Sequence, residues 1–214
     1  MKKTLLFLVS LLLCCAVFAQ AESTPSIAVE DLTRFDVTLE NASDAAGYIF
    51  TPIIVDEVTN EVVGQAATME MAKFSAETRV QCNTNELAKL TSATTADAYF
   101  GKATDAQGTE VSLFDMLGSE TLAVNEFVAV YQNGYDASFG AVTVDMYFPT
   151  VYDVNEKVAV LIGVVTVAED QTQTVQWFAY EGTVLPEGGV QVKLDAESAT
   201  MFENALLELA IISK

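Results

Sequence analysis

Apolar and polar residues alternate along much of this chain. Phe35, Val37 and Leu39 fall on one side of an extended segment, and Asp36, Thr38 and Glu40 on the other. Val142, Val144, Met146 and Phe148 repeat the pattern against Thr143, Asp145 and Tyr147. Val190, Val192 and Leu194 do so against Gln191 and Lys193. A period of two marks strands with one wet face, as antiparallel sheets allow. Val158–Val167 is apolar on both sides and rich in valine, which predicts a central strand covered on both faces. Further strands are expected at 47–55, 65–74, 98–103, 127–132, 174–180 and 207–212.

Turn chemistry supports this reading. Asn133-Gly134 carries a strong hairpin signal, and residues 105–108, 169–171 and 186–189 separate runs of strand character. One helix is expected near the end: Asp195 can cap it, Glu197 suits its first turn, and Ala199, Phe202 and Leu206 share a face. A shorter helical turn is expected at 84–90. The fold class implied is mainly β, an antiparallel β-sandwich of immunoglobulin-like or jelly-roll-like type, in one or two sandwich domains. The seam falls near Gly118, giving an N-terminal β domain over 22–117 and a C-terminal β-sandwich over 118–214. Trp177 has no pair of cysteines to pack against, so the immunoglobulin cysteine-tryptophan-cysteine signature is absent.

The first 21 residues change the picture. Lys2 and Lys3 precede an apolar run over 5–13, and Ala19-Gln20-Ala21 gives the small-x-small pattern of signal-peptidase cleavage. A bacterial signal peptide is the reading, with a mature chain starting at Glu22 that is secreted, periplasmic or held at the cell surface. The apolar run is too short for a membrane span, and neither Cys14 nor Cys15 sits in a lipoprotein context. Leu185-Pro186-Glu187-Gly188-Gly189 resembles a cell-wall sorting motif, but Gly188 stands where threonine is required. Loss of the leader leaves Cys82 as the single cysteine, a strand residue sharing a face with Val80, so no internal disulfide is available.

Charge narrows the partners. The whole chain has 10 basic and 30 acidic residues; without Lys2 and Lys3 the mature chain stands at −22. Such a field repels nucleic acid and anionic lipid and draws basic partners.

Candidate chemistry is sparse. The chain contains no histidine, which removes the commonest general base and most zinc sites. No phosphate-binding loop or dinucleotide fingerprint occurs, and no cofactor is implied. Acidic loops at 153–156 and 105–110 lack the EF-hand spacing. A carboxylate pair could still hydrolyse glycosides, but the sequence selects no pair. The positive expectation is an aromatic surface. With Val175, Trp177 and Ala179 facing the core, Phe178 and Tyr180 would face outward, as Tyr147 does on its own strand. Tyr147, Phe178 and Tyr180 are therefore the candidate ligand-binding residues. The functional expectation is a non-catalytic exported protein binding a polysaccharide or a protein. The alternatives are a carboxylate-based extracellular hydrolase and a structural subunit of an envelope complex.

Overall fold

The structure, a computed structural model, describes residues 33–42, 47–55, 62–63, 87–101, 103–105, 107–170 and 172–214. The expected leader, the strand expected at 65–74, Cys82 and residues 84–86 lie outside these. The strands are β1 (Arg34–Leu39), β2 (Ile49–Val55), β3 (Val62–Val63), β4 (Ala123–Asn133), β5 (Val142–Tyr147), β6 (Val158–Val167), β7 (Gln173–Val184), β8 (Val190–Leu194) and β9 (Leu206–Ser213). Among the described residues three short α-helices join them: α1 (Ala93–Phe100), α2 (Leu113–Leu117) and α3 (Ala196–Met201).

The nine described strands form one antiparallel sheet in the order β1-β5-β8-β7-β6-β9-β4-β2-β3. The two-residue β3 only extends the tip of β2, so eight strands make the body. That body curls until it is nearly a barrel. Leu39, Phe50, Val130, Val144, Val160, Tyr180, Val192 and Leu209, one from each of the eight strands, belong to a single inner core. Phe35 of β1 and Phe50 of β2 approach with ring centroids 5.8 Å apart, although no ladder joins these two strands. The two stacked sheets of a sandwich are thus not what the pairing gives. Strands from both sides of Leu117/Gly118 share the one sheet, β1 pairing with β5 and β2 with β4.

Half of the outer face is covered as well. Ala159, Leu161, Trp177, Ala179, Ala210 and Ile212 form a second core with Leu90, Ala93, Ala96, Phe100, Leu113 and Leu117 from the helical segment. Among the described residues no such layer lies outside β1, β5 and β8, and their outward residues are polar or partly exposed. The alternation that marked β5 and β8 and the two-sided apolar run of β6 are therefore seen as expected.

Three local expectations are corrected. Residues 98–103 do not form a strand, because α1 occupies their first half. Ser92 caps that helix: its Oγ accepts from the Thr95 N–H at 3.2 Å, and Thr95 Oγ1 accepts from the Ser92 N–H. Gly101 closes it in the left-handed conformation, φ 68°. Asn133-Gly134 makes no hairpin, since β4 and β5 are not neighbours; instead the Gly134 N–H donates to Glu203 Oε1 at 2.8 Å. The C-terminal helix ends at Met201, and Leu206 begins β9 rather than extending the helical face. Replacing Ser92 by alanine is expected to lower stability by about 1 kcal/mol, measurable as a shift in the urea midpoint, with glycine costing only a few tenths.

Among the described residues no helix is long and apolar enough to cross a membrane.

Candidate functional site

The three aromatic candidates do not form one surface. Phe178 and Tyr180 retain only 7% and 8% exposure and point into the inner core. Their rings pack edge-on against Phe202 at 5.8 and 6.4 Å. The outward orientation expected for them is corrected, for a simple reason. Both faces of β7 are buried over residues 177–180, Trp177 and Ala179 under the helices and Phe178 and Tyr180 inside the curl, so neither side chain pair meets solvent. Burial pushes the Tyr180 hydroxyl up to about 12, with Ser198 opposing the shift.

Tyr147 lies elsewhere, on the uncovered outer face of β5. The Arg34 guanidinium sits 4.4 Å from its ring centroid, and its hydroxyl donates to Glu187 Oε1 at 3.2 Å. Arg34 also pairs with Asp36 at 3.0 Å. One face of the Tyr147 ring is thus already taken by a cation. Its hydroxyl is raised above the usual tyrosine range, by desolvation first and by Glu187 second.

The acidic loops turn their carboxylates to the backbone. Asp105 Oδ1 accepts from the Gln107 and Thr109 N–H groups at 2.9 and 2.8 Å, and Glu156 Oε2 accepts from the Asp153 N–H. Among the described residues no three potential ligand side chains converge for a metal. Residues 185–189 form the tight turn between β7 and β8, closed by Leu185 N–H to Gly189 O at 2.8 Å.

The group that the sequence reading passed over is Glu208. It is the single charged residue of β9, set in the run Leu-Leu-Glu-Leu-Ala-Ile-Ile. Alternation sends Leu207, Leu209 and Ile211 into the inner core, so Glu208 projects from the outer face with Ala210 and Ile212. Its register partners are Gly163 on β6 and Ala129 on β4. Gly163 in turn faces Trp177 on β7. A Cβ at Gly163 would lie 2.9 Å from Trp177 Cε3 and Cζ3 and 2.5 Å from Val175 Cγ1, so the indole occupies the space beside the glycine. The result is a row across four strands: Trp177, Gly163, Glu208, Ala129. Phe127 and Phe100 stand edge-on to the indole at 6.1 and 4.8 Å.

Glu208 is 7% exposed, and among the described residues its carboxyl has no hydrogen-bond or ion-pair partner. Burial pushes it up to about 7. A carboxyl left in this state is costly, and such groups concentrate at working sites. Its chemistry offers one proton near neutrality, or one anionic charge beside an aromatic wall. Two-acid glycoside hydrolysis needs a second carboxyl within about 5–9.5 Å. No protein-family model, curated protein or solved structure matches the chain.

Proposed function

We propose that this chain is an exported, non-catalytic binding protein that works outside the cytoplasm, at the cell surface, in the periplasm or free, on a protein or polysaccharide partner. Export rests on the leader pattern of residues 1–21. The observation that carries the binding role is the way the polar chemistry is disposed. The inner core is filled by side chains from all eight strands of the body, the chain has no histidine, and among the described residues the one strongly displaced carboxyl, Glu208, is displaced by burial. That arrangement suits recognition on the outer surface better than acid–base turnover.

A protein partner is favoured over a sugar. Stacking on a sugar ring needs a free aromatic face, and of the three aromatic candidates Phe178 and Tyr180 are buried while Arg34 lies on Tyr147. The strong negative charge selects a basic partner. Two measurements test the reading. Expression of the full chain in a bacterial host should yield an exported product whose N-terminal residue is Glu22; retention of the whole leader in the cytoplasm would refute export. The purified mature chain should bind basic proteins in a salt-sensitive way and leave a neutral polysaccharide array unmarked. Saturable array binding that Tyr147→Ala weakens tenfold would replace the protein partner with a carbohydrate.

A further inference from the structure

We infer that the outer face of β1, β5 and β8 is the surface on which a basic protein docks, with Asp36 and Asp145 receiving its cationic side chains. The inference rests on the binding reading above and gives it a place on the molecule. Ladder pairing sets the outward side chains in three rows: Arg34 with Tyr147, Asp36 with Asp145 and Gln191, and Thr38 with Thr143 and Lys193. This half of the sheet is open. The Arg34 and Asp36 side chains are 62% and 53% exposed, Lys193 is exposed, and Asp145, Tyr147 and Gln191 are partly so.

Asp36 and Asp145 face each other directly across the ladder, which puts their Cβ atoms about 5 Å apart. Like charges in that position work against the sheet. Folding does not call for them, since Thr38 and Thr143 fill the same geometry one row on. Each acid is held from its own side: Arg34 pairs with Asp36 at 3.0 Å, and Gln191 Nε2 donates to Asp145 Oδ1 at 2.7 Å. A guanidinium or ammonium set between them gains charge-assisted hydrogen bonds from both and relieves their repulsion. The neighbouring aromatic is fixed before any partner arrives. The Tyr147 ring lies against Gly189, where a Cβ would come within 2.8 Å of its Cδ1 and Cε1, while Arg34 sits on the ring and Glu187 holds the hydroxyl. Val151 lies against the adjacent Gly188 and is still 74% exposed. Tyrosine and arginine are enriched among the residues that carry interface energy, and anchors already ordered lose little entropy on binding.

Charge selects the occupant. At −20 the chain repels a second copy of itself, nucleic acid and anionic lipid, and it attracts a basic surface. Area sets the strength. Three strands of about six residues span roughly 14 by 20 Å, well under the roughly 800 Å² per partner of a stable interface, so the contact is transient and salt-sensitive.

The test follows the anisotropy of a fluorescein-labelled lysine- and arginine-rich peptide at pH 7 and low salt, titrated with three forms of the purified chain. These are the unaltered protein, Asp36→Asn with Asp145→Asn, and Asp115→Asn with Glu169→Gln. The last removes the same two charges from exposed positions on α2 and the β6–β7 turn. The face pair is expected to weaken binding at least tenfold, and the control pair less than threefold. Equal weakening overturns the face and leaves salt-sensitive binding of a basic partner standing; no binding by the unaltered chain refutes both. Should the face variant not fold, amide NMR shifts of the unaltered chain under the same peptide decide instead. Movements confined to β1, β5, β8 and the turn at 185–189 are expected. Movements centred on α1 and α2, or scattered over the whole surface, refute the face.

Discussion

The unfolding free energy is expected to fall by about 2 kcal/mol through Glu208 alone as pH rises from 5 to 9. In the folded chain its carboxyl is raised to about 7 by burial, whereas in the unfolded chain it returns to the ordinary glutamate range near 4.3. Between those values the folded state holds a proton that the unfolded state has released. Stability from this group is therefore complete below about pH 4.5, declines as pH climbs through 7, and is fully lost by about pH 8.5. A displacement of this size corresponds to about 3 kcal/mol, and the residual solvent contact of the carboxyl reduces it to about 2. Urea denaturation across the range would show the slope, and Glu208→Gln should flatten it relative to the unaltered chain. Glu208→Leu should exceed the unaltered chain in stability by about 2 kcal/mol at pH 8.5, because an apolar side chain fits between Gly163 and Ala129 without a charge to desolvate. Parallel curves for all three proteins would show that Glu208 is well solvated. The comparison among variants matters because the general repulsion of a −20 chain also rises with pH and is common to all.

The second large effect belongs to Phe202. It follows α3 directly, has no exposed surface, and fills the gap between Phe178 and Tyr180. Phe202→Ala is expected to cost about 4 kcal/mol, from lost apolar burial and from the cavity left in the inner core. The neighbouring Met201 is 42% exposed, and Met201→Ala should stay within about 0.5 kcal/mol. The two variants differ by one position and by which side of α3 they occupy. A shift of the urea midpoint at unchanged slope measures both. A cost below about 1 kcal/mol for Phe202→Ala would mean that α3 is only a surface connection.

Much of this fold can be read from alternation, and the exceptions have physical causes. β1, β5 and β8 each have one face in the core and one facing outward without a covering layer, so period two names their inward residues correctly. β6 announced itself by being apolar on both sides. β7 carried the same message in Val175, Trp177 and Ala179 against Phe178 and Tyr180, but aromatic side chains suit both a core and a binding face. Pattern alone cannot tell a doubly covered strand from an amphipathic one when both of its faces are aromatic. The helix over 93–100 was hidden by threonines and aromatics that favour strands, and its capping box uses Thr95 where the familiar form has glutamate or glutamine. Curling was not legible, because it depends on which strands pair across long stretches of chain and not on any one segment. Glu208 had a visible signal, one carboxyl inside an apolar strand. Its meaning depended on Gly163 and Trp177, 45 and 31 residues earlier, lying in the same row.

The pairing of β1 also sets an order of events during folding. Its ladder partner is β5, and the backbone joining them closes with Glu40 holding the Ala141 N–H across 101 residues. β6 and β7, by contrast, meet through a turn of a few residues and can form as soon as both exist. Loop closure must be met before a distant pair of strands gains anything from contact, so the hairpin is the natural nucleus and β1 a late arrival. As the chain emerges from its N-terminus, β1 waits more than a hundred further residues for β5, its ladder partner among the described strands. Until then the Phe35 side of β1 is without the inner core that finally receives it.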